Sequence, residues 1–201
     1  FIASQRPLEA SETTDGTISQ SEIAALARAW TLAQVDTPDS RKLLGESFST
    51  ESARLRHAII VATSTFRSDV LYPALMAHAS NDPSAASRRA LAEAYGRLHD
   101  SSTVPQVLKM AEKADDRVLQ HSVIYALIEL HDAAATRRGL AAKSPRVVAA
   151  ALIALDQMQG GDIKPADVIP HLGASDETLK QAAQWVVSQH ADWGGELAQW
   201  F

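Results

Sequence analysis

Apolar positions in this chain recur on a helical beat, and the beat itself recurs. With Ala62, Ala94, Ala126, Ala154 and Val186 as anchors, the spacings are 32, 32, 28 and 32 residues. Seven positions before each anchor stand Leu55, Ser87, Leu119, Val147 and Leu179. Three before it stand Ile59, Leu91, Val123, Ala151 and Ala183, and four after it Phe66, Leu98, Leu130, Met158 and His190. These offsets share one face of a 3.6-residue helix. No single helix buries such a face alone, so neighbouring units must stack. Ser87 and His190 depart from the apolar pattern, and His190 suits an end repeat, where atypical residues are the rule.

Shorter apolar segments lie between these helices: residues 68–80 (Val70, Leu71, Leu75, Met76), 102–114 (Val104, Val107, Leu108, Ala111), 133–142 (Leu140) and 165–172 (Val168, Ile169, Leu172). Turn-forming stretches separate them: Asn81-Asp82-Pro83, Asp115-Asp116, Ser144-Pro145, Gly160-Gly161-Asp162 and Ser175-Asp176. Pro83 and Pro145 suit a first helical turn, where a missing N–H costs little. An earlier helix is predicted over 21–35, with Ser21 as N-cap and Ile23, Leu26, Ala27 and Trp30 as its apolar stripe; Pro38 then redirects the chain into a short partner at 39–48. No segment alternates with period two. The pattern predicts an all-α fold of about five helix-turn-helix repeats plus an N-terminal helix. Residues 1–20, rich in Ser, Thr and Glu, read as a linker or arm; 21–201 read as one domain, with its clearest repeats at about 50–192.

Composition narrows the functional classes. Apolar residues make up 46% of the 201 positions but aromatics only 5%, a profile suited to closely packed helices rather than a β-sandwich. The formal charge of −5 lowers the prospect of a nucleic-acid partner, because phosphate contacts supply most of such affinity. The absence of cysteine excludes thiolate metal sites, Cys nucleophiles and thioether-linked haem within this segment. No apolar run approaches the roughly 18 residues of a membrane span. The chain opens on Phe1 and is read as a piece of something longer.

The units carry a recognisable signature. Leu55-Arg56-His57-Ala58, Ser87-Arg88-Arg89-Ala90 and Leu179-Lys180-Gln181-Ala182 each place a basic residue before alanine, and Asp116-Arg117-Val118-Leu119 leads through Ala126-Leu127 with Gln120 at the usual basic position. This resembles the HEAT repeat, which implies a right-handed α-α superhelix. A narrower resemblance rests on 119–129 (Leu-Gln-His-Ser-Val-Ile-Tyr-Ala-Leu-Ile-Glu), 151–158 and 185–194. These segments look like the helical-repeat part of large secreted planctomycete-type multidomain proteins. In those, a dehydrogenase-like β-propeller precedes the repeats and a c-type haem domain follows. The resemblance implies a helical middle piece in an extracytoplasmic setting. Neither a propeller pattern nor Cys-x-x-Cys-His is present, so no redox function carries over.

Candidate chemistry is sparse. Leu98-His99-Asp100 and Leu130-His131-Asp132 lie 32 residues apart, which is a stacking period rather than a ligand spacing. Their histidines are read as helix C-terminal residues and Asp100 and Asp132 as caps. Arg56, His57, Arg88, Arg89, Gln120, His121 and Tyr125 fall at equivalent repeat positions and form the candidate interaction face. That stripe is locally basic, so it would suit an anionic segment; the plainer reading is a solvated face. Arg137-Arg138 read as solvent-facing. Trp185 and Trp193 read as closing the core, with Trp193, Trp200 and Phe201 as candidates for an interdomain contact. No Ser/His/Asp trio, metal-ligand run or phosphate loop stands out. The reading that follows is a non-catalytic scaffold or interaction module, itself not an enzyme and with no cofactor. Its expected partners are flanking domains of the same polypeptide or another protein. The alternatives are an enzyme on HEAT-like repeats, such as a DNA glycosylase-like protein, and a peptide or small-ligand groove.

Overall fold

The computed structural model describes residues 18–48, 52–66 and 82–200, and every regular element among them is a helix. The chain groups into two compact units, Phe1–Leu98 and His99–Phe201. The expected short helix at 68–80 and most of the 1–20 arm lie outside the described residues.

The first unit contains α1 (Gln20–Val35), α2 (Pro38–Ser47), α3 (Ala53–Thr65) and α4 (Ala85–Leu98). α1 begins earlier than its predicted cap: the Ser19 hydroxyl, not Ser21, accepts the Glu22 N–H at 3.1 Å. Its core face also differs from the predicted stripe. Glu22, Ala25, Ala29 and Ala33 are buried, while Ile23 and Trp30 stay 47% and 41% exposed. The reason lies in Glu22, whose fully buried carboxylate accepts from Ser52 Oγ at 3.1 Å and from Arg54 Nη1 at 3.4 Å. Satisfying that charge turns the helix, because a buried carboxylate without donors costs several kcal/mol, roughly more than two half-exposed apolar side chains forgo. Trp30 meets Phe66 edge-to-face instead, ring centres 6.4 Å apart.

α3 and α4 pack on one another through the expected rows: Leu55, Ile59 and Ala62 against Ser87, Leu91 and Ala94, all buried. Phe66, at the fourth position of its row, is the departure, lying half out of the core. Pro83 precedes α4 by two residues rather than opening it, and the Asp82 carboxylate accepts the Ser84 N–H at 2.8 Å just before the helix.

The second unit alternates long and short helices. α5 (Val104–Glu112) precedes α6 (Arg117–Leu130). α7 (Ala133–Arg137), extended by a 3-10 turn at Arg138–Ala141, precedes α8 (Pro145–Gln157). α9 (Pro165–Val168), extended at Ile169–His171, precedes α10 (Glu177–Gln189), and α11 (Gly194–Trp200) follows. The rows Leu119–Val123–Ala126–Leu130, Val147–Ala151–Ala154–Met158 and Leu179–Ala183–Val186 are buried throughout. α8 packs against both α6 and α10. The repeat shortened by four residues fits because of Gly139: a Cβ there would lie 2.9 Å from both Ala151 Cβ and Leu108 Cδ2.

The paired Leu-His-Asp motifs mark helix ends, as their spacing suggested. His99 and His131 both adopt the left-handed conformation, with φ of 53° and 54°, directly after α4 and α6. Asp100 then accepts the Ser102 N–H at 3.0 Å and Asp132 the Ala135 N–H at 2.8 Å, starting the next segment. Each triplet stops one helix and starts another.

Candidate functional site

The predicted interaction face divides between the two units. In the first unit Arg56 and Arg88 close on the turn that precedes α4. Arg56 Nε donates to Asp82 Oδ2 at 2.7 Å and its Nη2 to Oδ1 at 3.3 Å, with the two side chains 13% and 3% exposed. Arg88 Nη1 donates to the carbonyls of Asp82 and Pro83 at 2.8 and 3.1 Å. His57 and Arg89 are half-buried. In the second unit Gln120 Nε2 donates to the Ala114 carbonyl at 3.0 Å and holds the α5–α6 turn. His121 and Tyr125 are exposed on α6, beside exposed Val118.

The C-terminal aromatics separate by role. Trp193 is only 6% exposed and belongs to the core formed by Val148, Leu152, Leu179, Ala183 and Val186. It stacks on His190 at 4.0 Å, and His190 Nε2 pairs with Asp156 Oδ1 at 2.6 Å. That bond accounts for the polar residue at the last apolar position. The Trp200 side chain and Phe201 lie outside the described residues. Trp185, read as core, is 40% exposed. Arg137, read as solvent-facing, donates to Asp167 Oδ2 at 2.7 Å and to the carbonyls of Gly161 and Asp162 at 3.0 and 2.6 Å.

Trp185 instead forms one wall of an open groove of about 290 Å³ between α6, α8 and α10, wholly within the second unit. Its lining repeats from helix to helix. Arg117, Arg146 and Thr178 stand in the first turns; Gln120, Ala149 and Gln181 form the middle row; Ile124, Ile153 and Trp185 form the far row. Small side chains, including Ala111, Ala114, Ala150 and Ala182, make the floor. Asp116 and Asp176 turn their carboxylates onto the N–H groups that open α6 and α10. Arg117 and Arg146 form no ion pair or hydrogen bond among the described residues. Both sit where helix N-termini add partial positive charge, so the two guanidinium groups make this part of the groove cationic.

The sequence pattern held a trace of this groove. Arg146, Ala149, Ala150 and Ile153 precede Thr178, Gln181, Ala182 and Trp185 by 32 residues. Arg117, Gln120 and Ile124 precede Arg146, Ala149 and Ile153 by 29, one more than the buried rows imply. The buried register therefore pairs Tyr125 with Ile153, whereas Ile124 is the residue that lines the groove.

Among the described residues no helix is long and apolar enough to cross a membrane, and no three His, Asp or Glu side chains group as metal ligands. No protein-family model matches the chain, and no curated protein matches it. A search of solved structures finds human deoxyhypusine hydroxylase, in complex with glycerol, at 14% identity and a TM-score of 0.39, covering 90% of this chain and 86% of that one. The expectation of a non-catalytic module that is not an enzyme is corrected here. The structure found is that of an enzyme, and a missing catalytic motif by itself excludes no catalysis. At that identity and score the likeness transfers no reaction, ligand or residue role.

Proposed function

We propose that this chain is a ligand-binding helical-repeat protein whose second unit holds an anionic ligand with an apolar part in the groove between α6, α8 and α10. The observation that carries this reading is the pair Arg117 and Arg146, unengaged by any described residue and facing the same groove as Ile124, Ile153 and Trp185. Guanidinium groups take carboxylates or phosphates through paired N–H donors, and the apolar row removes hydrocarbon from water seven residues along each helix. Arginine and tryptophan are also the residues on which binding energy concentrates. Substrate and lasting partner are told apart by following the mass of the bound ligand with time.

The same reading takes the helix pairs of the second unit as HEAT-like hairpins of a right-handed superhelix. It is supported by the alternation of long and short helices and by the buried rows at 28- and 32-residue spacing. The narrower proposal is a helical middle piece of a secreted multidomain protein, and the flanking sequence tests it. β-blade repeats upstream and Cys-x-x-Cys-His downstream would support it, and their absence from the full-length polypeptide would remove it.

The groove is tested with N-octanoyl-glutamate, which joins two carboxylates to an apolar tail. Titration into the 15N-labelled chain should shift the Trp185 indole N–H resonance with a dissociation constant of about 1 mM or below. The Arg117→Ala/Arg146→Ala double variant should weaken binding roughly tenfold or more. An unmoved Trp185 resonance, or equal binding by the double variant, would overturn the proposal.

A further inference from the structure

The groove's repeat fixes the shape of what fits it. α6, α8 and α10 lie side by side, and packed helices sit about 8–10 Å apart, so each lining row spans roughly 20 Å across three equivalent positions. A ligand whose groups recur at that interval meets every row in register. A polyproline-type helix has three residues per turn and a rise of about 3.1 Å, so side chains i, i+3 and i+6 share one face about 9 Å apart. A β-strand covers the distance in three residues but turns alternate side chains to opposite faces. An α-helix repeats at about 5.4 Å and falls out of step. Resting on the groove as a ligand site, we propose that its occupant is an extended, polyproline-type segment of another polypeptide with two acidic side chains three residues apart.

The rows then assign the segment's three faces. The acidic face meets Arg117 and Arg146. Apolar side chains on the adjacent face meet Ile124, Ile153 and Trp185. The third position along the acidic face is neutral. There Thr178 replaces the arginine, and one residue before it Glu177 Oε1 accepts from Gln181 Nε2 at 2.8 Å, a fixed negative charge that disfavours a third acid. The polyproline backbone has no internal hydrogen bonds, and the exposed Gln181 amide keeps an oxygen and a second N–H for it.

Two labelled peptides of one composition test the spacing against the full chain. ELPELPSLP places its acids three apart, and EPELLPSLP places them two apart. The first should bind about tenfold more tightly, a difference of about 1.4 kcal/mol. Arg117→Ala or Arg146→Ala, each at a partly or fully exposed position and checked for native helicity, should abolish that preference. Equal binding of both peptides, still displaced by N-octanoyl-glutamate and still weakened by Arg146→Ala, would overturn the inference while leaving the groove reading intact. Failure of all three probes to bind would overturn both.

Discussion

The paired arginines of the first unit and the groove arginines of the second do opposite things with the same side chain. In the first unit Arg41 pairs with Asp36, Arg54 reaches Glu22, Arg56 grips Asp82, and Arg88 binds the carbonyls of Asp82 and Pro83. In the second, Arg117 and Arg146 face a groove with no described partner. The two sets stand at different repeat positions: Arg56 and Arg88 directly follow Leu55 and Ser87, whereas Arg117 and Arg146 precede Leu119 and Val147. Asp82, before α4, takes Arg56 as well as the Ser84 N–H, whereas Asp116 and Asp176 turn Oδ1 onto the N–H groups that open α6 and α10. An arginine next to a capping aspartate can therefore be left for something else to bind.

Removing the tightest lock should have the largest effect. Asp82→Ala removes the buried carboxylate that Arg56 grips and strips the Ser84 N–H of its acceptor. It should cost about 3 kcal/mol in urea unfolding, the range for breaking a buried pair from one side. A loss under roughly 1 kcal/mol would show that water replaces the pair and would erase the contrast between units.

Arg137 is the lock within the second unit, and it should behave like the first unit's arginines rather than like Arg117. Arg137→Ala frees two carbonyls in the turn after α8, where Gly160 has φ 75° and a Cβ on Gly161 would approach the Leu155 carbonyl to 1.9 Å. Because the pair with Asp167 is partly exposed, the expected loss is about 1–2 kcal/mol. Thermal melting would read it; an unchanged midpoint would put Arg137 with the solvated residues.

The two left-handed histidines offer a smaller, signed comparison. His131→Gly relieves a conformation that costs an L-residue about 1 kcal/mol, so it should raise stability by up to that amount. His99→Gly gains the same relief but loses the ring contact of Nδ1 with the Glu129 carbonyl at 3.1 Å, and should come out near zero. Equal shifts from both substitutions would mean the His99 contact contributes nothing.

Much of the fold was readable because helical periodicity depends only on which residues avoid water. The rows through Ala126, Ala154 and Val186 are buried as their spacing required, and the Leu-His-Asp triplets end helices as a stacking period implies. α1 was misread in phase because Glu22 looks polar in sequence and becomes core only once Ser52 and Arg54, about 30 residues away, supply its donors. The groove was missed for a different reason. Its rows are mostly Ala, Gln, Thr and Ile, residues that carry no motif, and its register runs one residue off the buried one between α6 and α8. Arg56 and Arg88 stood out in the pattern, yet Asp82, whose carboxylate takes Arg56 and whose carbonyl takes Arg88, sits in a turn that periodicity does not describe.

The most direct test pairs two readings on one protein, the Arg117→Ala/Arg146→Ala variant of the full chain. Groove arginines that serve recognition should leave urea stability within about 0.5 kcal/mol of the parent, as for surface sites away from structural features. The same variant should lose roughly tenfold or more in affinity for N-octanoyl-glutamate. A stability loss of about 2 kcal/mol with unchanged affinity would contradict the account, for it would make Arg117 and Arg146 locks like Arg56.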